Sequence, residues 1–194
     1  MNWKLILIIL FSIVVNFDVK AQAKGDSGIL PNTQQNSVPI YNNDNAALID
    51  SLIIRKGYPD KPVGWMNDFE GIFSKQESEF VDSLCAAFEK ETSIEIAIVT
   101  VDSIFVTLEN FDNYITRIGN LWQVGKKGKD NGIIIGICAG ISKIRISNGY
   151  GIQRRISDSD TKMIIEKFIL PSFRQNDYFA GIKKGLAEVM KRLR

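Results

Sequence analysis

Asp68, Asp130 and Asp158 are widely separated along the chain, yet each sits where a run of regular structure begins or ends. Asp68 precedes a helix-start signal. Asp130 opens an apolar β-branched run after a Gly-Lys-rich loop, and Asp158 follows the turn Gly149-Tyr150-Gly151. In open α/β sheets such edges gather into a crevice where ligands bind, so the three carboxylates are expected to converge there. Converging carboxylates repel one another unless a cation lies between them. An all-oxygen donor set suits Ca²⁺ or Mg²⁺ rather than zinc, and a site made of flexible loops suits calcium better than magnesium. The expected metal ligands are therefore Asp68, Asp130 and Asp158. Each also has a plainer role: Asp158 as a helix cap, Asp130-Asn131-Gly132 as a turn, and Gly149-Tyr150-Gly151 as a turn under an aromatic ring.

Lys126, Lys127 and Lys129 in the loop from Gly125 to Lys129 could hold a phosphate beside such a metal, with Arg145 or Arg154 stabilising developing charge. Otherwise the lysines form a solvated basic loop. A metal-assisted phosphatase would then use Asp68, Asp130, Lys127 and Arg145. The chain has no histidine at all. That excludes Ser-His-Asp triads, Cys-His dyads and His-ligated zinc. Neither a Walker-type nor a Gly-x-Gly-x-x-Gly phosphate loop is present, and Asp158-Ser159-Asp160 follows a turn instead of a buried strand, against a phospho-aspartate mechanism. With 24 basic and 22 acidic residues spread along the chain, no footprint for nucleic acid appears.

The elements that must position these residues are legible from periodicity. Ser74-Lys75-Gln76-Glu77 has the form of a capping box, and Phe80, Val81, Leu84, Cys85 and Phe88 behind it mark one face of a helix ending near Thr92. Ile94 to Val101 is a short, β-branched, mostly apolar strand of the kind covered on both faces. Phe111, Tyr114, Ile115, Ile118, Leu121 and Trp122 predict a second amphipathic helix. Gly132 to Ala139 and Lys143 to Ser147 read as strands joined by a hairpin through Ala139-Gly140-Ile141-Ser142, hence as antiparallel neighbours. Ser157 or Asp158 caps a further helix interrupted near Pro171, and Phe179 to Leu193 carries the face of a C-terminal one. Alternating strands and helices predict an α/β fold with a mixed sheet of about four strands and helices on both faces. Cys85 and Cys138 fall in apolar stretches and read as small buried hydrophobes, although export would permit a disulfide.

Ahead of this lies a leader. Lys4 gives a positive start, Leu5 to Val15 is apolar apart from Ser12, and Ala21-Gln22-Ala23 offers cleavage after Ala21 or Ala23. The apolar run is about half the ~20 residues needed to cross a bilayer, so residues 1–23 read as a secretory signal rather than a permanent transmembrane helix. The expected location is periplasmic or secreted. Residues 24–61 read as a polar spacer, with a short helix over Ala46 to Arg55, and residues 62–194 as the folded domain.

In order, Asn67 to Ser74, Trp122 to Lys127, Asp130 to Ile135, Arg145 to Gly151 and Asp158, then Pro171-Ser172-Phe173 and Asp177 to Gly181, resemble the successive signatures of the TPM-domain family. The resemblance implies a three-layer α/β/α sandwich, binding of a divalent cation of the calcium type, and a weak phosphatase activity on small phosphate esters. Family members otherwise resemble accessory factors for membrane complexes. An exported accessory domain acting on an envelope or membrane protein is thus the first functional expectation, and a metal-assisted phosphomonoesterase the second. Gln153 stands where the family pattern is often acidic, which removes one carboxylate from that edge.

Overall fold

The computed structural model describes residues 61–194. The leader, most of the spacer and the short helix expected over Ala46 to Arg55 lie outside the described residues.

Four strands form one mixed sheet in the order β1 (Met66–Asp68), β2 (Glu95–Thr100), β3 (Gly132–Cys138), β4 (Lys143–Asn148). β1 and β2 pair in parallel, as do β2 and β3. β3 and β4 are antiparallel neighbours, as the short connection between them requires. The hairpin and the two longer strands follow the sequence reading. β1 is a three-residue strand inside a segment that carries no alternation of its own.

Side chains alternate between the two faces of the sheet. Ile96, Ile98, Ile133, Ile135, Ile137 and Ile146 point to one face. They meet Val81, Cys85 and Phe88 of α1 (Lys75–Thr92) and Ile182, Leu186 and Val189 of α6 (Tyr178–Leu193). Val99, Ile134 and Cys138 point to the other, onto Phe111, Ile115 and Ile118 of α2 (Phe111–Leu121). The result is the expected three-layer sandwich. Cys85 and Cys138 belong to opposite layers, and both are free and buried. Burial pushes the Cys85 thiol up to about 12, so it behaves as an apolar filler.

The capping box that starts α1 is present in full: Glu77 N–H donates to Ser74 Oγ, and Ser74 N–H to Glu77 Oε2 at 2.7 Å. After β4 come the short α3 (Tyr150–Gln153) and then α4 (Asp158–Ile164), whose cap is Ser157, with Asp158 in the first turn. The interruption near Pro171 is a π-helical turn, Ile165–Ile169, followed by α5 (Leu170–Phe173). Proline has no N–H and its ring collides with the carbonyl of the preceding turn. The wider π turn before Pro171 lets the chain continue without a break.

Candidate functional site at the head of strand β3

The register places the sequence-predicted carboxylates at different ends of the sheet. Asp68 ends β1, in line with Thr100 of β2, which is itself in line with Ile137 near the end of β3. Asp130 stands two residues before the start of β3. At ~3.3 Å per residue, Asp68 and Asp130 are roughly 20 Å apart along the strand direction. The expected single crevice holding Asp68, Asp130 and Asp158 does not form, because in parallel strands one residue at a strand's end and another at a strand's start face opposite edges.

At the Asp68 edge the carboxylates hold backbone. Asp68 Oδ1 accepts from Thr100 Oγ1 at 2.8 Å and from Ile72 N–H at 3.2 Å, and Oδ2 accepts from Phe73 N–H at 2.8 Å. Glu70 receives Ala139 N–H at 3.1 Å on both oxygens. Burial raises the Glu70 carboxyl above its ordinary value, with Asp102 and Asp68 adding repulsion. Glu70 and Asp102 were not singled out by sequence, although Glu70 lies in the Asn67 to Ser74 signature, because their approach depends on the pairing of β1, β2 and β3.

At the opposite edge, two loops approach backbone to backbone. A side chain on Gly132 would place its Cβ 2.0 Å from the Val124 carbonyl oxygen, and one on Gly149 would place it 2.2 Å from that of Asp130. Glycine is required at both by this contact. Gly149 N–H donates to Gly132 O at 2.8 Å and Gly151 N–H to Asp130 O at 2.9 Å. Asn131 folds the lysine loop from below, its Oδ1 accepting from Lys126 N–H at 2.8 Å and its Nδ2 donating to Ser93 O at 2.6 Å. Asp130 sits in the left-handed region at φ 47°, as short polar side chains tolerate.

Between these loops and α2 opens a cleft of about 380 Å³. Asp130, Thr116, Asn120, Ser147, Asn148 and Gln153 supply its polar lining, and the 79% exposed ring of Tyr150 stands at its side. A second depression adjoins it across Asn120, Val124 and Asp130 and contains Lys127. Lys126 is committed elsewhere, ion-paired with Glu89, which also accepts from Trp65 Nε1 at 2.9 Å.

Asn148 borders the cleft, but its side chain turns to the α4 side of the sheet. Its Nδ2 donates to Thr161 Oγ1 at 2.8 Å, and the Thr161 hydroxyl donates in turn to Ser157 O at 3.0 Å. Thr161 Oγ1 must therefore be the acceptor of the first bond, which settles the amide's orientation. Asn148 Oδ1 is left buried with no hydrogen-bond partner. A buried acceptor without a donor costs about 1–3 kcal/mol of stability, here on the α4 side of the sheet. The sequence reading named Asn148 only within the Arg145 to Gly151 signature; its environment depends on α4, a distant segment.

The remaining expected residues lie apart. Asp158 and Arg145 line a groove on the far side of β4 together with Asp112. Arg145 Nη1 is 3.6 Å from Asp112 Oδ2. The structure thus joins Asp130 with Lys127 and Asp158 with Arg145, and separates both pairs from Asp68. Among the described residues no group of three or more Cys, Asp or Glu side chains is arranged to hold a metal. No helix among them is long and apolar enough to cross a membrane.

The family model described as the TPM domain matches residues 66–192. Among solved structures, the chain is similar to the N-terminal domain of a protein from P. gingivalis, at 24% identity and a TM-score of 0.60, covering 66% of this chain and 81% of that one. It is also similar to the BA42 protein of the psychrophilic bacterium Bizionia argentinensis, at 18% identity and a TM-score of 0.55, covering 64% and 83%. At these identities the likeness is one of fold. No curated protein matches the chain.

Proposed function

The chain belongs to the TPM-domain family, and from that premise we propose that it is an exported accessory domain that binds a divalent cation beside Asp130 and acts on envelope or membrane proteins. The observation that carries the cation is the Asp130 carboxylate in a cleft whose other polar side chains are all neutral. Thr116, Ser147 and Gln153 add neutral oxygens. Calcium takes six to eight oxygen ligands in flexible geometry, whereas magnesium demands a tight octahedron and gives up water reluctantly, so this donor set favours calcium. With one carboxylate the affinity belongs to the weak range of extracellular modules, about 10⁻⁴ to 10⁻³ M. Asp68 is not part of this site, since both its oxygens already accept hydrogen bonds. Asp158 lines a different groove.

An accessory role is favoured over catalysis by the residues around Asp130. The chain has no histidine to serve as general base, and the carboxyl with a raised proton affinity, Glu70, lies at the other end of the sheet. Calorimetric titration of the protein with calcium and with magnesium tests the site. Calcium binding lost in Asp130→Asn supports it; no heat with either ion overturns it.

A second reading rests on Lys127, which shares a depression with Asp130. A phosphate monoester could lie between a cation on Asp130 and the Lys127 ammonium, the cation polarising a phosphoryl oxygen. Arg145 and Asp68 take no part, since neither lines this depression. Calcium-dependent hydrolysis of an aryl phosphate, abolished by Asp130→Asn and weakened by Lys127→Ala, would rank this reading first.

A further inference from the structure

We infer that the edge at the head of β3 docks on an anionic phospholipid surface, through the ring of Tyr150 and the cations Lys127, Lys129, Arg154 and Arg155 beside it. The loop from Gly125 to Asp130 and the turn from Gly149 to Ile156 meet backbone to backbone, since a Cβ on Gly151 would stand 2.2 Å from the Lys129 carbonyl oxygen. Ile152 and Ile156, each 1% exposed, anchor the turn in the core, and the side chains between them point to solvent. Tyr150 opens α3 with its ring in water, and Arg154, at the end of that single turn, lies on the same side of it. The side chains of Lys127, Lys129, Arg154 and Arg155 are exposed, and among the described residues none of them makes a hydrogen bond or an ion pair.

The carboxylates of the neighbouring elements are held elsewhere. Glu89 and Glu95 both face Lys126, Glu89 as its ion pair and Glu95 while accepting from Gly125 N–H at 3.0 Å. Glu91 pairs with Arg194, and Asp160 and Glu188 pair with Arg192. Asp158 lines the groove beside β4. Lys90 and Lys191, in the last turns of α1 and α6, have no partner among the described residues, so cations outnumber carboxylates across the whole edge. Asp130 is the one carboxylate lining the cleft beside Tyr150. Four cations without fixed partners, on two loops flanking an aromatic ring, suit a plane of phosphates better than a single acidic side chain at a fixed place. Tyrosine sets its apolar ring at headgroup depth with its hydroxyl in water, and the stems of lysine and arginine carry their charges to the phosphates. Each basic side chain near such a surface strengthens binding about fivefold. The surface adjoins the Asp130 cleft and needs no cation there, although calcium beside Asp130 would cancel the one opposing charge.

The test is co-sedimentation of residues 24–194, free of the apolar leader, with vesicles of phosphatidylglycerol and phosphatidylcholine in equal parts, in the presence of chelator. Binding to these vesicles and none to pure phosphatidylcholine is expected, with loss in molar salt, where the screening length shrinks to about 3 Å. Lys127→Gln and Arg154→Gln should each weaken binding about fivefold. Lys75→Gln removes the same charge at the start of α1, which follows the opposite end of the sheet, and should leave binding unchanged. Tyr150→Ser should weaken binding and Tyr150→Trp restore it, since tryptophan also favours the interface. Asp130→Asn should tighten it in chelator. Lipid binding in chelator that calcium does not change upholds the inference and counts against the cation beside Asp130 alone. Equal binding to both kinds of vesicle, or Lys75→Gln as damaging as Arg154→Gln, overturns the inference. Tighter binding of a soluble tetraglutamate peptide than of the vesicles also overturns it, and assigns the patch to an acidic segment of a protein.

Discussion

Asp68 and Asp130 face opposite edges of one sheet, Asp68 in register with Thr100 at the end of the parallel strands and Asp130 two residues ahead of the start of β3. The first has both oxygens bonded to the protein, while the second lines a cleft whose other polar side chains are neutral. Two aspartates that look alike in sequence thus make opposite predictions.

Substituting them should separate stability from cation binding. At a free calcium concentration of about 100 Kd the native state gains about 2.7 kcal/mol, a rise of several degrees in Tm. Asp130→Asn should lose most of this calcium-dependent rise while melting near wild type without the ion. Asp68→Asn should melt lower by about 1–3 kcal/mol, because charged acceptors for Ile72 and Phe73 are weakened, yet keep the rise. Thermal denaturation with calcium and with chelator reads both. A calcium shift retained in Asp130→Asn and lost in Asp68→Asn would reverse the assignment.

Gln153 lines the Asp130 cleft as a neutral side chain. Cation affinity rises with the number of charged ligands, so Gln153→Glu should tighten calcium binding roughly tenfold, about 1.4 kcal/mol. Calorimetric titration of the variant against wild type measures it. Unchanged affinity would place the ion out of reach of α3.

Glu70 should leave a mark on the pH dependence of stability. Its carboxyl is raised in the folded state, chiefly by burial, so between the unfolded value of about 4.3 and the folded one the native state binds more protons than the unfolded state. Its contribution therefore worsens as pH rises through that window and improves on acidification toward the unfolded value. Glu70→Gln carries no such titration. The difference in denaturant-derived stability between the two proteins should shift toward wild type as pH is lowered from 7 to about 4.5. A pH-independent difference would mean that the two Ala139 hydrogen bonds fully offset the burial.

Gly132→Ala should be the most damaging small substitution in the domain. Its methyl would stand 2.0 Å from the Val124 carbonyl oxygen, and backbone cannot swing aside as a side chain can. Loss of about 3 kcal/mol or more is expected, against less than 1 kcal/mol for Gly128→Ser, whose Cβ meets no atom within 4 Å although its φ of 77° is strained. Urea denaturation of the two variants compares them. Near wild-type stability in Gly132→Ala would show that the loops holding Asp130 are loosely packed.

Much of this protein was determined locally. The capping box at Ser74 and Glu77, the apolar stripe from Val81 to Phe88 and the hairpin between Cys138 and Lys143 each depend on residues within a few positions of one another, and those interactions survive any choice of tertiary arrangement. The three layers followed from alternation, since strands buried on both faces need helices on both. Even Pro171 announced its interruption, because a missing N–H acts on its own turn. What the sequence could not assign was which end of the sheet each loop joins. Asp68, Asp130 and Asp158 all stand at element boundaries. Whether a boundary is the head or the foot of the sheet depends on the parallel pairing of β1, β2 and β3, set by contacts more than thirty residues apart in sequence. The unpartnered Asn148 Oδ1 and the sharing of Asp112 by Lys143 and Arg145 are likewise tertiary. Each exists only because α4 and α2 fold over β4 and satisfy some of its polar atoms and leave others without partners.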